Sequence, residues 1–284
     1  MNGTKTGLVM EGGSMRGMFT CGVIDVFLEE GITFDGAVGT SAGAVFGCNI
    51  KSKQHGRALR YNKKYCSDKR YVSWSNLFRT GNLFGLDFCY RRIPYELDIW
   101  DEKTYTENPM EFYAVSTDVM TGKPVYHNCA KGDAEDIQWF RASAAMPLFA
   151  NVVEIGDRRL LDGGVGDSIA LKFFESKGYN RNVVILTQPR GFVKKKNKML
   201  PLAKLMLGRY PELIKAMADR HIRYNETTAY IAEREAAGDV FVIAPPESLN
   251  IGAMEKDPEE LERVYQIGRK AALDKLEALK SFMK

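Results

Sequence analysis

A chain of 284 residues, 45% hydrophobic and 27% charged, carries enough apolar material for a sizeable core and enough charge for a solvated surface. That composition excludes a disordered or fibrous protein, and no apolar run approaches the roughly 20 residues needed to span a bilayer. A net charge of +4 is too mild to demand a nucleic-acid partner, although a local basic cluster can still act.

Residues Met1 to Gly12 lack the apolar stretch of a secretory signal, since Leu8-Val9-Met10 is far too short. The five cysteines (Cys21, Cys48, Cys66, Cys89 and Cys129) are odd in number and include no C-x-x-C pair. Buried thiols in a reducing compartment fit this better than disulfides or a metal site. The expectation is a cytoplasmic protein with no metal and no cofactor.

Gly7 to Met10 reads as a short apolar strand that runs into Glu11-Gly12-Gly13-Ser14-Met15-Arg16-Gly17. A helix follows with Phe19, Val23, Val26 and Phe27 on one face, ending near Gly31. A second strand, Ala37 to Gly39, turns at Thr40-Ser41 into a helix starting near Ala42. Strand, helix, strand, helix at this spacing predicts parallel strands with crossover connections.

From Ser67 to Asn108 the periodicity lapses, and an irregular excursion rich in aromatic and charged residues is expected. Phe112 to Thr117 and Val125 to His127 read as strands, followed by a helix from Asp133 to Ala145 that Pro147 stops. Val152 to Ile155 and Arg159 to Leu161 form a hairpin around Gly156-Asp157. Ile169 to Ser176 is helical, Val183 to Thr187 is a fully buried strand, and Val240 to Ile243 is the last strand. Asp257-Pro258-Glu259-Glu260 opens a terminal helix, with Leu261, Tyr265, Gly268, Ala272, Leu276 and Leu279 as its buried stripe. The sum is one three-layer α/β/α domain over residues 1–284 with a mostly parallel central sheet. It is interrupted by excursions at about 67–108 and, basic and helical, at about 194–236.

Gly39-Thr40-Ser41-Ala42-Gly43 has the G-x-S-x-G pattern of a nucleophile elbow. A serine at a sharp strand-to-helix turn projects its hydroxyl above the sheet edge, and flanking glycines let the neighbouring backbone approach. The following helix is expected to turn its positive end toward charge formed during attack. Gly12 to Gly17 can be a structural turn, an oxyanion loop built from the Gly12, Gly13 and Ser14 amides, or a phosphate loop. A dinucleotide loop wants glycine where Ser14 stands, and the Gly-Lys-Ser/Thr ending of a Walker loop is missing. Beside an elbow, the oxyanion reading gains most, with Arg16 fixing the loop or holding an anionic head group.

A serine hydroxyl needs a group to take its proton. None of the three histidines, His55, His127 and His221, lies in a loop that marks it as catalytic. Asp162-Gly163-Gly164 ends a short strand, and the glycines would let its carboxylate approach a serine unobstructed.

In combination these elements resemble the patatin-like phospholipases. Gly12 to Gly17 is similar to that family's glycine-rich loop, including the basic residue at Arg16, and Gly39 to Gly43 to its elbow. Ala142-Ser143-Ala144-Ala145-Met146-Pro147 is similar to its A-S-x-A-x-P block, and Asp162-Gly163-Gly164 to its D-G-G/A box. Glu11 departs slightly, standing where the family often carries Asp or another residue. The resemblance implies hydrolysis of a lipid or small ester by a Ser41–Asp162 dyad without histidine, through an acyl-enzyme. It also implies an oxyanion site at Gly12, Gly13 and Ser14, and a structural role for the A-S-x-A-x-P block. Two rivals stand beside it: a Ser-His-Asp α/β-hydrolase with His221 as base, and a lipid- or nucleotide-binding protein without chemistry. Lys194-Lys195-Lys196-Asn197-Lys198 precedes the apolar Met199 to Leu207. This is either a solvated loop before a packed helix or a segment that meets an anionic membrane surface. No aromatic residues alternate with the lysines, so nucleic acid is not expected there.

Overall fold

Eight strands make one mixed sheet in the computed structural model, which describes residues 4–284. Met1 to Gly3, the start of the segment read above as lacking a secretory signal, lie outside the described residues. The strands are β1 (Thr6–Met10), β2 (Gly36–Thr40), β3 (Glu111–Asp118), β4 (Pro124–Asn128), β5 (Val153–Ile155), β6 (Arg158–Asp162), β7 (Arg181–Ile185) and β8 (Val240–Ile243). Their spatial order is β5-β6-β3-β2-β1-β7-β8, with β4 paired to β3 beside that path. β2, β1, β7 and β8 run parallel to one another and to β3, whereas β4 and β6 run antiparallel to β3.

Period-two alternation sorts the strand residues into two cores. Leu8, Met10, Ala37, Phe112, Ala114, Val183 and Ile185 join one, and Val9, Val38, Tyr113, Val115 and Val184 join the other. The first is covered by α1 (Gly17–Glu29), α6 (Ala134–Ser143) and α10 (Pro258–Leu273), the second by α7 (Leu171–Ser176) and by Tyr224 and Ile231 of α9 (Pro211–Ala236), whose Leu213, Ala216 and Met217 join the first. This is the expected three-layer arrangement with a mostly parallel sheet.

β3 organises the end of the sheet where chemistry is expected. Val115 pairs with Tyr126 of β4 and with Thr40 of β2; Ser116 pairs with Val125 of β4 and with Asp162 of β6. Since β4 runs continuously along one edge of β3, β2 and β6 must share the other, end to end. They run in opposite directions, so their C-terminal residues, Thr40 and Asp162, meet.

Several segments differ from the sequence-based expectation. Residues 67–108 are not irregular: they hold α4 (Trp74–Thr80), a π-helix (Phe88–Leu97) and α5 (Glu102–Glu107), after α3 (Arg57–Tyr65). Aromatic residues without helical period hid these elements, because tertiary packing holds them: Tyr65 meets Phe88 and Tyr71 meets Phe84 edge-on. The helix after Ser41 is only a single turn, α2 (Ala42–Val45), so local amides rather than a macrodipole act there. The terminal helix divides at Asp274-Lys275 into α10 and α11 (Leu276–Phe282), which puts Leu276 and Leu279 on a separate element. Asp257 caps α10 as expected, accepting from the Glu259 amide at 2.9 Å. The basic excursion contains α8 (Leu200–Leu207) and the long α9.

α1 and α10 cross backbone to backbone. A Cβ on Gly22 would collide with the Tyr265 carbonyl, and one on Gly268 with the Phe19 carbonyl. Gly268→Val should therefore destabilise the protein by about 3 kcal/mol through overpacking. An unchanged denaturation midpoint would show that the helices have slack at this crossing.

Candidate active site

At the end of β2 the chain reverses into α2, and Ser41 takes φ 54° and ψ −119°, a conformation rarely adopted by residues other than glycine. Such strain costs on the order of 1–3 kcal/mol and persists only where neighbours over-determine it. The neighbours here are specific. A Cβ on Gly39 would collide with the Gly43 carbonyl, and one on Gly43 with the Met10 carbonyl. The Ser41 amide donates to Ser143 Oγ at 2.9 Å, and Ser143 Oγ donates to the Val115 carbonyl at 2.6 Å. Ser143, fully buried, thus ties the elbow to β3 at the register where Thr40 ends its pairing.

Asp162 arrives from β6. Ser41 Oγ donates to its Oδ2 at 2.7 Å, and the Gly164 amide donates to Oδ1 at 2.7 Å. Its own amide donates to the Ala145 carbonyl at 2.8 Å, and Thr117 Oγ1 donates to its carbonyl at 2.8 Å. The A-S-x-A-x-P block therefore grips both halves of the pair, Ser143 holding the serine and Ala145 the aspartate. Burial raises the Asp162 pKa above the ordinary carboxylate value, opposed by the Ser41 hydroxyl, the Arg220 charge and the Gly164 amide.

The glycine loop faces this pair across one cavity lined by Gly12, Gly13, Ser14, Ser41 and Asp162. The Gly12 amide is turned toward the Ser168 carbonyl at 3.4 Å, and the Gly12 carbonyl accepts from Thr187 Oγ1. The Gly13 and Ser14 amides have no acceptor among the described residues, which leaves them as the open donors. Ser14 is itself held at φ 50°, with Oγ donating to the Ala253 carbonyl. Arg16 closes the loop through its amide, which donates to the Gly13 carbonyl, while its Nε is buried without a partner. Glu11 is buried beneath the loop, accepting from the Thr187 amide at 2.6 Å and the Tyr224 hydroxyl at 2.7 Å.

No histidine lines either cavity at Ser41. His55 pairs with Glu29 at 2.6 Å, His221 Nδ1 lies 3.0 Å from the Ala218 carbonyl, and His127 stacks on Trp139. His127, Cys129 and Asp136 bring three ligand-capable atoms within 4.8 Å of one another. The Asp136 carboxylate there already accepts from the Lys131 and Gly132 amides.

Ser41 sits where two unlike cavities meet. One is apolar, walled by Phe46, Tyr61, Phe84, Tyr90, Ile93 and Phe140; the other is more polar and holds Arg16, Lys194 and Arg220. Sequence reasoning missed Ser143 as a tether, the aromatic wall supplied by residues 71–100, and Arg220. The segment around Arg220 drew attention only for its neighbour His221.

A family model described as Patatin-like phospholipase matches residues 8–174, and a second, described as a domain of unknown function, matches residues 210–284. The uncharacterized protein YjjU of Escherichia coli K12 is 27% identical over 288 residues, covering 93% of this chain and 75% of its own length. Lysophospholipase nte1 of Aspergillus terreus is 29% identical over 189 residues, 62% of this chain. This chain spans 11% of that relative's length. The uncharacterized NTE family protein MT2641 of Mycobacterium tuberculosis is 24% identical over 97% of this chain and 47% of its own.

A buried carboxylate beside the serine sets a pH signature. If Asp162 takes the serine proton it must be ionised, so a raised pKa moves the loss of activity to higher pH. kcat/KM for a soluble ester should fall on acidification along a limb centred above the ordinary aspartate value of about 3.9. A profile still flat at that pH would exclude Asp162 as the base.

Proposed function

This chain belongs to the patatin-like phospholipase family, and on that footing we propose that it is a serine acyl-ester hydrolase of phospholipase A or lysophospholipase type. The observation that carries the reading is the 2.7 Å hydrogen bond from Ser41 to a buried Asp162 at the junction of an apolar and a polar cavity. An amphiphilic ester fits that junction, with its acyl chain on the aromatic side and its head on the polar side.

Ser41 Oγ attacks the ester carbonyl carbon as its proton passes to Asp162 Oδ2. Removal of solvent makes that carboxylate a stronger base than an exposed one. The Gly13 and Ser14 amides face the developing oxyanion, with Gly12 completing the loop. Collapse expels the alcohol, which takes the proton from Asp162. Water activated by the same carboxylate then releases the fatty acid from Ser41. No metal or cofactor enters any step.

Ser41→Ala and Asp162→Asn should each remove nearly all esterase activity, and the double variant should be little worse than either. His55→Ala, His127→Ala and His221→Ala should stay within a few-fold of the parent. A dead His221→Ala with a live Asp162→Asn would replace the dyad with the triad. Failure of a fluorophosphonate to label Ser41, with no ester turned over, would leave a binding protein.

We place the protein in the cytoplasm, at the membrane periphery. Its five thiols are free, and among the described residues no helix is long and apolar enough to cross a membrane. α8 exposes Leu202, Leu205 and Met206, and α4 exposes Trp74 and Phe78. Both flank the polar cavity, α8 next to Met199 on its wall and α4 through Trp74 against Phe149. Lys195, Lys196 and Lys198 are exposed beside α8, but Lys194, grouped with them in the sequence, turns into the cavity. Replacing those three exposed lysines with Gln should weaken binding to anionic vesicles by up to about 1 kcal/mol per charge. Unaltered vesicle binding in a co-sedimentation assay would make the segment an ordinary surface loop.

A further inference from the structure

The polar cavity gathers three cations that acyl transfer itself does not use. Arg16 ends the glycine loop, Lys194 lies in the strap after β7, and Arg220 projects from α9. None forms an ion pair among the described residues, and Arg16 Nε is buried without any partner. Lys194 is held in place from α9: its amide donates to Asn225 Oδ1 at 2.8 Å, and Asn225 Nδ2 donates back to its carbonyl at 3.1 Å. Its ammonium lies 4.1 Å from the centre of the Tyr224 ring. Arg220 Nε donates to the Gly164 carbonyl, and Arg220 lines the cavity.

Two carboxylates stand nearby, and both are engaged. Glu11 accepts from the Thr187 amide and the Tyr224 hydroxyl, and Asp162 from Ser41 and the Gly164 amide. Three cations thus face two carboxylates, so one positive charge is in surplus in a partly desolvated space. Burial and the neighbouring Arg220 together push the Lys194 pKa down to about 8. Crowding like charges this way is costly unless an anion joins them. Two guanidinium forks and one ammonium match the several acceptor oxygens of a tetrahedral phosphoryl group better than a single planar carboxylate.

We infer that Lys194 and Arg220, with Arg16, form a phosphate subsite that holds the phosphoryl head group of a lipid whose ester lies at Ser41. The inference rests on the hydrolase reading for the identity of the lipid, but the anion site can be tested apart from turnover. In the first arm, kcat/KM is compared for a lysophospholipid and for the monoacylglycerol of the same chain, both below their micellar concentrations. The parent should favour the phosphorylated substrate about tenfold or more, mainly through KM, in line with a charge-assisted contact. Lys194→Gln should remove most of that ratio, and Lys194→Arg should retain it. In the second arm, inorganic phosphate is titrated into Ser41→Ala protein and followed by phosphorus NMR. Binding should be present there and should weaken about tenfold when Lys194→Gln is added.

Phosphate binding without any preference for the phosphorylated lipid would assign the site to free phosphate and overturn the head-group inference. Neither binding nor preference, in protein that still cleaves the neutral ester, would overturn the subsite and leave the hydrolase intact. Phosphate binding that depends on Lys194, with no ester cleaved, would support the anion site and refute the proposed reaction. The parent's preference and the titration of Ser41→Ala need no change at Lys194, so a poorly folded Lys194→Gln does not blunt the test.

Discussion

The site depends on two short strands sharing one edge of β3. β2 pairs with residues 111–115 and β6 with residues 116–118, from opposite directions. Backbone hydrogen bonding thereby brings together Ser41 and Asp162, which are 121 residues apart in sequence, without help from either side chain. Ladder register is stiff, because a one-residue slip moves every side chain to the opposite face. The Ser143 hydroxyl sits at the seam, accepting from the Ser41 amide and donating to Val115 of β3, while the Ala145 carbonyl holds Asp162 on the other side. The strained backbone of Ser41 and the desolvated carboxylate of Asp162 are both unfavourable alone, and this seam holds them in place.

Around the seam, two segments distant in sequence supply contrasting environments. Residues 71–100 wall the apolar side with aromatic rings, and the π-helix contributes Cys89, Tyr90, Ile93 and Pro94. A π-helix is a wide, poorly bonded turn, and such turns gather at functional sites. The opposite wall comes from the strap after β7 and from α9, and carries charge instead. Ser41 is where the two walls meet, so one hydroxyl faces both environments.

What the sequence revealed follows from the range of the forces involved. The elbow at Ser41, the turn after Asp162 and the cap at Asp257 are local, written in the few residues that make them, and each lies where expected. The alternation in β1, β2 and β3 was equally legible, because it reflects burial on two faces of one sheet. By contrast, Lys194 reads as one of a run of solvated lysines, and Asn225 and Tyr224 of α9 turn it inward. Arg220 belongs to a charged helical stretch with no mark of its own. The Gly12 amide looks like an oxyanion donor by spacing, yet Ser168 engages it from a loop that spacing cannot place. The helices of residues 67–108 lack period because their rings pack on several elements rather than along one face.

The β1 strand has a neighbour whose origin matters. β1 delivers the glycine loop, and β7, which covers its far side over Thr6 to Met10, begins at Arg181, past the last residue matched by the phospholipase model. Cutting the chain at residue 174 would expose five residues of parallel ladder and make β1 an edge, the kind of surface that templates aggregation. Glu11 would at the same time lose both Thr187 and Tyr224, leaving a carboxylate with no donor under the loop. The segment matched by the phospholipase model thus shares its sheet and its glycine-loop support with residues beyond it. Residues after 174 complete its sheet and supply both hydrogen-bond donors to Glu11.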